Sequence, residues 1–396
     1  MRILWVGTKP PWPATDGGRL LAAVTLEALA QAGHELSLVA PFDPGGDDGL
    51  RAAHALRRLC DPHLVSARPG RRLRAGLGSI ARREPLSVAR HRHGAVAAKV
   101  AALLAERPFD VVHVEQPQAL AQCGAAFERG LSVVLRVQNV ESDLWTAAAR
   151  SILGLPARLE ARRMARFEAE AVRRTAATIA LTRGDAARLG ALSGVPNKVH
   201  RIPPPFPSEL PAAVEGLSGA PAVVLIGSGG WLPNERGRTW FLRHVWPEVR
   251  AALPGALLHL FGHSGGGHDG AGVVFQGPLE DSRQAFAPNA VLVVPLHFGS
   301  GVRMKILEAW ARGVPVVATP EAAEGLDADD GRELLLARTP ADFVAALRLL
   351  TLEPRLAPSL VAGGRKRLAS HHHPSEVAAR LSAVYADCVA RPNPPP

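Results

Sequence analysis

The sequence predicts an α/β protein built from two doubly wound domains, each with a parallel sheet. Short apolar runs of buried-strand length alternate with helical stretches along the chain. A proline-rich segment, residues 203–207, interrupts this alternation near the middle. The 396 residues are 47% hydrophobic and 21% charged, which is enough for two globular cores.

The first domain is predicted over residues 1–203 and opens with a β-loop-α-β unit. Its strand at 3–6, helix at 20–31 and strand at 35–40 follow each other closely, and Gly33 caps the helix. Later elements fit the same plan: strands at 110–114, 132–137, 178–181 and 199–202, and a helix at 155–175. This alternation is typical of a Rossmann-like sheet.

The second domain is predicted over 222–374, after a stiff proline-rich linker at 204–221. Its predicted strands are 223–226, 257–261, 273–276, 290–295 and 314–318, and its helices are 238–253, interrupted near Pro247, 305–312 and 340–350. A C-terminal helix at 375–390, able to pack back on the first domain, precedes a frayed tail at 391–396. Two such domains imply a cleft, with ligands at the carboxyl ends of the strands.

Composition and charge indicate where the protein acts and which surfaces it could contact. No signal peptide or apolar run of membrane-spanning length is found, and the three cysteines are widely spaced, so we expect a cytoplasmic protein without a disulfide framework. The net charge is +10. Between residues 68 and 92, arginines that include Arg71, Arg72 and Arg74 interleave with apolar residues. The segment predicts peripheral contact with an anionic membrane surface, and a generally basic surface is the alternative.

The most informative segment runs from Pro295 through a Gly-Ser-Gly turn into a predicted helix. Main-chain amides at such a helix N-terminus suit a phosphate group. Arg303 and Lys305 are unfavourable there for the helix alone, and a bound diphosphate would explain them. Glu308, one turn further on, can accept hydrogen bonds from the two hydroxyls of a ribose. The alternative is an ordinary loop-helix junction with solvated charges.

This segment, Gly299-Ser-Gly-Val-Arg-Met-Lys-Ile-Leu-Glu-Ala, resembles the donor-site motif of retaining glycosyltransferases of the GT-B fold, family four (group 1 type). Further matching stretches are the glycine loop ending at Gly17 and Gly18, Asn139-Val-Glu141, the run from Gly227 to Asn234, and Leu260-Phe-Gly262. The resemblance covers most of the chain. It implies two Rossmann-like domains facing across a cleft, and transfer from a nucleotide sugar with retention of anomeric configuration.

The resemblance also implies residue roles. Arg303 and Lys305 would neutralise the leaving nucleoside diphosphate, and His113 and Gln138 are further catalytic candidates. The donor-binding candidates are Gly17, Gly18, Gly227, Ser228, Gly262, Ser300, Gly301, Val302 and Glu308. Asn139 and Glu141 are assigned to the acceptor side. No metal or other cofactor is expected, and the partners are a nucleotide-sugar donor and a small-molecule or lipid-linked glycan acceptor.

Two departures from the family pattern bear on specificity. The family often carries a glutamate at the position of Ser300, and a histidine at that of Gln138. Glutamine can hydrogen-bond a sugar hydroxyl but cannot relay a proton. His113 could supply a polar group instead, or be a structural histidine.

Other signals point elsewhere only weakly. Asp327-Ala-Asp329 and His371-His-His373 are poor metal sites, the histidines because adjacent residues in a loop make a poor cage. The chain lacks interleaved aromatics for nucleic acid. The alternatives left open are a nucleotide-sugar epimerase of the same architecture and a non-catalytic protein that binds a sugar nucleotide or another anionic ligand.

Overall fold

The structure is a computed structural model that describes residues 1–45, 48–68, 76, 78–79, 81–149, 154–213, 215–227, 230–262, 272–277, 279 and 281–391. The chain divides into two compact units. The first contains Met1–Ala14, Gly18–Pro205 and the chain from Pro374 onward, and the second contains Thr15–Gly17 and Phe206–His373.

The first unit contains a parallel sheet whose described strands run in the order β3-β2-β1-β4-β5-β6-β7. They are β1 (Arg2–Val6), β2 (Glu35–Phe42), β3 (Asp61–Ser66), β4 (Val111–Glu115), β5 (Val133–Val137), β6 (Ala177–Ala180) and β7 (Val199–Arg201). β4 and β5 are buried along their whole length, which explains why valine predominates in both. The strand order reverses direction between β1 and β4, and open α/β sheets bind ligands at such a switch point.

Helices cover this sheet. They are α1 (Gly17–Gln31), α2 (Gly49–Leu56), α3 (Leu86–Arg90), α4 (Gly94–Glu106), α5 (Gly124–Glu128), α6 (Glu141–Ala149), α7 (Gly154–Arg174) and α8 (Arg183–Ser193). The core on one side includes Val100, Val112 and Leu135, all fully buried. The core on the other includes Leu26, Leu38 and Ile179. The sheet is therefore buried on both faces, as a doubly wound sheet requires.

The second unit repeats the plan with the strand order β10-β9-β8-β11-β12-β13. Its strands are β8 (Ala222–Ile226), β9 (Leu257–Phe261), β10 (Val273–Gly277), β11 (Ala290–Val294), β12 (Val316–Ala318) and β13 (Leu335–Leu336). Its helices are α9 (Leu232–Trp240), α10 (Trp246–Ala252), α11 (Met304–Arg312), α12 (Pro320–Ala323), α13 (Pro340–Leu352) and α14 (Leu356–His371). The topological switch lies between β8 and β11.

The last helix, α15 (Pro374–Ala390), belongs to the first unit. Val377, Leu381 and Tyr385 are buried in its core. Polar contacts add to this packing: the Ser132 hydroxyl donates to the Cys388 carbonyl over 2.7 Å. The chain therefore leaves the first unit at Pro205, forms most of the second unit, and returns to the first unit at Pro374.

The structure shows the form of the interruption predicted near Pro247 and differs from the loop predicted at His371 to His373. The helix predicted at 238–253 is divided by a π-helical turn, Phe241–Val245. Pro247 has no main-chain N–H to donate, so the helical ladder is interrupted there. The region of His371 to His373 was predicted as a loop, yet His371 ends α14 and His372 is buried.

The proline-rich segment predicted as a linker is held by the second unit from Phe206 onward. Phe206 is buried, and its N–H donates to the His372 carbonyl over 2.7 Å. The Leu210 N–H donates to the Ala311 carbonyl over 3.0 Å. The division between the units therefore falls at Pro205, and little of the segment bridges them.

The basic segment is described only in part, because Arg71, Arg72 and Arg74 lie outside the described residues. Within the described part, Arg92 pairs with the buried Glu84 at 2.7 Å and Arg82 with the same carboxylate at 3.4 Å. Some of the positive charge is thus used inside the unit. No described helix is long and apolar enough to cross a membrane.

Candidate functional site

The segment after β11 forms a loop that enters α11 at Met304. Its main chain has φ angles of 132° at Gly299 and 79° at Gly301, which L side chains rarely adopt. A Cβ atom on Gly299 would lie 2.8 Å from a terminal nitrogen of Arg303. Glycine at 299 therefore permits both the turn and the close approach of the Arg303 guanidinium. Ser300 is half-buried in this loop, and Gly301 and Val302 are buried.

Arg303 is the N-cap residue of α11 and is only 5% exposed. Its guanidinium carbon lies 5.2 Å from the centre of the Trp231 ring. Trp231 is itself the N-cap residue of α9. A cation-π contact therefore holds this positive charge at the N-terminal ends of two helices, where the helix dipoles favour a negative ligand.

Lys305 joins α11 to the end of β8. Its amine donates hydrogen bonds to the carbonyl oxygen of Ile226 and, over 3.2 Å, to Oδ1 of Asn234. Burial and, as the smaller effect, the charge of Arg303 together lower the pKa of Lys305 to about 7. Near neutral pH the amine is therefore only partly protonated, and a negative group beside it would favour its charged form.

The Glu308 carboxylate is held firmly in place. Its Oε1 accepts from the Ser282 hydroxyl over 2.5 Å and from Nε of Arg312 over 2.9 Å. Arg312 is fixed in turn by a hydrogen bond to the Pro211 carbonyl. The side chain is 6% exposed, and both of these contacts engage one carboxylate oxygen, Oε1.

The remaining donor-side candidates lie at the ends of the neighbouring strands. Gly227 follows β8, and a Cβ there would lie 3.1–3.2 Å from the Asn234 side chain. Gly262 follows β9, and its N–H donates to the Gly277 carbonyl over 2.8 Å. Ser228 lies outside the described residues. The carboxyl ends of β9, β8 and β11, adjacent in the sheet, thus carry these candidates along one edge.

In the first unit the candidates gather at the ends of β1, β4 and β5. Gly18, of this unit, and Gly17, which belongs to the second unit, are the first residues of α1. Gln138 follows β5, is 8% exposed, and donates from Nε2 to the Gly18 carbonyl at 3.5 Å and to Oε1 of Glu115 at 2.7 Å. Asn139 is half-buried beside it.

The structure argues against a direct catalytic contact for His113. The side chain is fully buried and stacks on Trp5 with ring centres 3.9 Å apart. One ring nitrogen contacts Glu115 at 3.3 Å and the other the Tyr385 hydroxyl at 2.8 Å. Burial lowers the pKa of His113. It is a structural histidine with both nitrogens engaged.

Glu141, predicted on the acceptor side, is the first residue of α6. Its N–H donates to Oε1 of Glu168 over 2.7 Å, and the Ser142 N–H donates to Oε2 over 3.4 Å. Glu168 therefore caps α6. Burial raises the pKa of Glu141 to about 7 and that of Glu168 to about 7. Two carboxyl groups thus titrate near neutrality at the start of this helix.

Sequence reasoning missed several residues of both sites. Trp231, Asn234 and Ser282 support Arg303, Lys305 and Glu308 from distant parts of the chain, and Arg312 supports Glu308 from the next turn of α11. Gln116 was missed in the first unit, although the Glu115-Gln116-Pro117 run at the end of an apolar strand was a usable signal. The described residues contain no cluster of three or more metal-ligating side chains.

Comparison with known proteins identifies the family. The family model of Glycosyltransferase Family 4 matches residues 16–210, and that of group 1 glycosyl transferases matches residues 220–352. The chain belongs to the group 1, family-four glycosyltransferases. This transferase is also 22% identical over 359 residues to an uncharacterized 44.6 kDa protein in the cps region of Klebsiella pneumoniae, covering 86% of this chain and 89% of that one.

Solved structures support the fold of the transferase. HepE of Anabaena, in complex with UDP and glucose, matches with a TM-score of 0.67 at 15% identity, covering 98% of this chain and 100% of HepE. Sucrose-phosphate synthase of Thermosynechococcus elongatus matches with a TM-score of 0.72 at 15% identity, with the same coverage. Together with the two parallel sheets, this confirms the predicted α/β class and GT-B fold.

Proposed function

We propose that this transferase moves a sugar from a nucleoside-diphosphate sugar to an acceptor hydroxyl, with retention of anomeric configuration and without a metal cofactor. The observation that carries the proposal is the strand-loop-helix segment after β11. It places Arg303, Lys305 and Glu308 on one rigid element at the switch point of the second sheet.

The positive charges at the start of α11 are the first support for the proposed transfer reaction. As the bond between the anomeric carbon and the phosphate oxygen breaks, the acceptor oxygen bonds to that carbon and negative charge builds up on the diphosphate. Arg303 and Lys305, close together at the start of α11, would neutralise that charge, as a metal ion does in other transferases. The acceptor proton leaves with the departing phosphate oxygen in the retaining mechanism that the family resemblance implies.

Nucleotide recognition is the second support. Glu308 is held by Ser282 and Arg312 in one orientation before any ligand arrives. A preoriented carboxylate is suited to accept hydrogen bonds from the two ribose hydroxyls. Gly227, Gly262 and the main chain at 300–302 offer close approach to the rest of the nucleotide, and we assign them to the donor.

The first unit, together with Gly17 of the second, is assigned to the sugar and the acceptor. Gly17 and Gly18 leave room for the diphosphate and the transferring sugar, and Asn139 and Glu141 would contact the acceptor. Gln138 offers few groups to a substrate directly, because its amide is engaged by Glu115 and Gly18. It would act by positioning other groups.

The donor and acceptor are proposed by class. HepE is described with UDP and glucose, so UDP-glucose is the first donor to test. The relative from the cps region supports a role in glycan biosynthesis, with a small-molecule or lipid-linked glycan as acceptor.

The test is a transfer assay with UDP-, GDP- and dTDP-sugars and a panel of methyl glycosides. We expect release of nucleoside diphosphate that depends on the acceptor and is unchanged by EDTA. The anomeric proton of the product, followed by NMR from the start, should show the donor's configuration. Interconversion of the donor without an acceptor would identify an epimerase instead, and binding without turnover would identify a non-catalytic protein.

We also propose peripheral contact with an anionic membrane surface through the basic segment at 68–92. The charge of Arg82 and Arg92 is partly balanced by Glu84, so the proposal rests on Arg71, Arg72 and Arg74. Vesicles of phosphatidylglycerol and phosphatidylcholine should sediment the protein, and replacing those three arginines by glutamine should weaken this. Equal sedimentation of the variant would reject the segment as the contact.

A further inference from the structure

A chain of polar side chains runs through the first unit to the end of β1. The Thr8 hydroxyl and Oε1 of Gln116 are 2.5 Å apart, Nε2 of Gln116 donates to Oε1 of Gln138 over 2.9 Å, and Nε2 of Gln138 donates to Oε1 of Glu115 over 2.7 Å. Thr8, Gln116 and Gln138 follow β1, β4 and β5, which are neighbours in the sheet. The outer end of the chain therefore lies at the switch point of this sheet.

Glu115 fixes the direction of every hydrogen bond in this chain. Burial opposes its ionisation, but the Arg136 guanidinium and its hydrogen bonds, with His113, hold the pKa of Glu115 below its usual range. Arg136 donates from Nε over 2.8 Å and from a terminal nitrogen over 2.5 Å to Oε2 of Glu115. The ionised carboxylate can only accept hydrogen bonds.

The hydrogen bonds at the inner end of the chain, around His113, are consistent with an ionised Glu115 that only accepts. His113 is neutral because burial lowers its pKa, so the nitrogen facing Glu115 carries the hydrogen. Its other nitrogen then accepts from the hydroxyl of Tyr385, on α15. In the buried contacts of Tyr385, His113 and Glu115, each facing atom is therefore either a donor or an acceptor, without conflict.

The ionised Glu115 also determines the hydrogen-bond directions at the outer end of the chain. Gln138 must turn its amide nitrogen toward Glu115, so its oxygen faces Gln116. Gln116 must then donate from its nitrogen to Gln138, and its oxygen accepts a hydrogen bond from the Thr8 hydroxyl. What remains for a ligand is the pair of Thr8 lone pairs and the second hydrogen of the Gln116 amide. A hydroxyl that both donates and accepts complements this pattern.

Gln116 itself has a strained backbone. Its φ is 74° and its ψ is 143°, a conformation that favours glycine strongly. Its N–H donates to the Arg136 carbonyl over 2.9 Å and its carbonyl accepts from the Ala119 N–H over 3.1 Å, which hold it there. A glutamine at a position suited to glycine indicates that its side chain is needed.

We propose that Thr8 and Gln116 form a binding site for a sugar hydroxyl, with Gln138, Glu115, Arg136, His113 and Tyr385 as positioning residues. The proposal rests on the proposed function. The hydroxyl belongs to the donor sugar or to the acceptor sugar, and both are the same chemistry. The Thr8 and Gln116 side chains are half-buried, which leaves them accessible at the end of the sheet.

The first arm of the experiment needs no substrate. The melting temperatures of Gln116→Gly and Gln116→Ala are compared by calorimetry. Both lose the amide, but only glycine relieves the backbone, so Gln116→Gly should melt a few degrees above Gln116→Ala, the reverse of the usual order. A glycine variant that melts below the alanine variant would overturn the account of Gln116.

The second arm measures binding and turnover in Thr8→Val and Gln116→Gly. The control is Thr351→Val, which removes a hydroxyl bonded to the Leu347 carbonyl within α13. If the hydroxyl belongs to the donor, UDP-glucose should bind about tenfold more weakly while UDP binds as before. If it belongs to the acceptor, UDP-glucose binding stays and kcat/KM for methyl glucoside falls about tenfold.

Normal binding and turnover in both variants would refute the proposal. Failure of the proposed function has a different signature. In that case the unaltered protein would show neither stabilisation by UDP-glucose nor release of UDP, which removes the sugar-binding claim as well, while the two melting temperatures would still report on the Gln116 backbone.

Discussion

The Lys305 amine is hydrogen-bonded to the Ile226 carbonyl, so the helix after β11 is fastened to the end of β8, its neighbour in the sheet. This hydrogen bond thus links α11 to the end of β8 at the switch point of the second unit. It also holds a cation beside Arg303, which lowers the pKa of Lys305 to about 7 together with the larger effect of burial. The charge at this point is therefore sensitive to an anionic ligand.

Donor binding should take up a proton. At pH 8 most free molecules carry a neutral Lys305, since its pKa is about 7, and a bound diphosphate favours the ammonium form. Calorimetric titration with UDP-glucose in two buffers of different ionisation enthalpy should show uptake approaching one proton at pH 8 and little at pH 6. Lys305→Arg, which stays charged, should show none. Identical uptake in that variant would assign the proton to another group.

Glu308 should discriminate between ribose and deoxyribose. A fixed carboxylate gains a hydrogen bond from the 2′-hydroxyl, so UDP should bind about tenfold more tightly than 2′-deoxy-UDP. Glu308→Gln should lose most of this preference, and the exposed Glu353→Gln serves as the matched control. Equal discrimination in Glu308→Gln and the unaltered protein would contradict the ribose assignment.

Arg136 should be important for stability. Its guanidinium is buried against the buried Glu115, and Arg136→Met would leave that carboxylate without its main partner. We expect a loss of about 3–5 kcal/mol in the free energy of unfolding, measured with urea. Adding Glu115→Gln should recover part of the loss, because no buried charge then remains. A double variant as unstable as the single one would argue against the uncompensated charge as the cause.

Glu168 should make the fold less stable as pH rises. Burial raises its pKa to about 7 from an ordinary value of 4.5, so the folded state holds a proton that the unfolded state releases between these values. Stability is therefore lost as pH rises from about 4.5 to about 7. Glu168→Gln keeps an acceptor for the Glu141 N–H and should flatten this slope in urea titrations at pH 5, 6, 7 and 8. An unchanged slope would place the titration elsewhere.

The regular parts of the fold were predictable because their patterns are local. The predicted strand at 3–6 and helix at 20–31 correspond to β1 and α1, since apolar periodicity and a glycine cap determine both. β3 was missed because it is half-buried and lacks a continuous apolar run. α14 was missed because Gly363 and Gly364 weaken the helical pattern, yet their lack of side chains allows close packing on Arg332 and Trp310.

The candidate site likewise contains residues that a local motif predicts and residues that only the folded chain brings together. Arg303, Lys305 and Glu308 stand close together in one motif, so the sequence alone could nominate them. Ser282 and Asn234 support them from more than twenty residues away, and only the folded chain brings such pairs together. His113 was nominated because it could supply a polar group where Gln138 replaces the family's histidine, but nothing in the sequence reveals its complete burial between Trp5 and Tyr385.

The most direct test of the central claim is the affinity for UDP-glucose of the unaltered protein, Lys305→Met and Lys366→Met, measured by calorimetry at pH 6.5. Lys366 is an exposed lysine of the same unit and controls for loss of a positive charge. Binding should weaken roughly 10–100-fold in Lys305→Met and be unchanged in Lys366→Met. Equal affinity in all three proteins, with all three folded, would contradict a donor site built on α11.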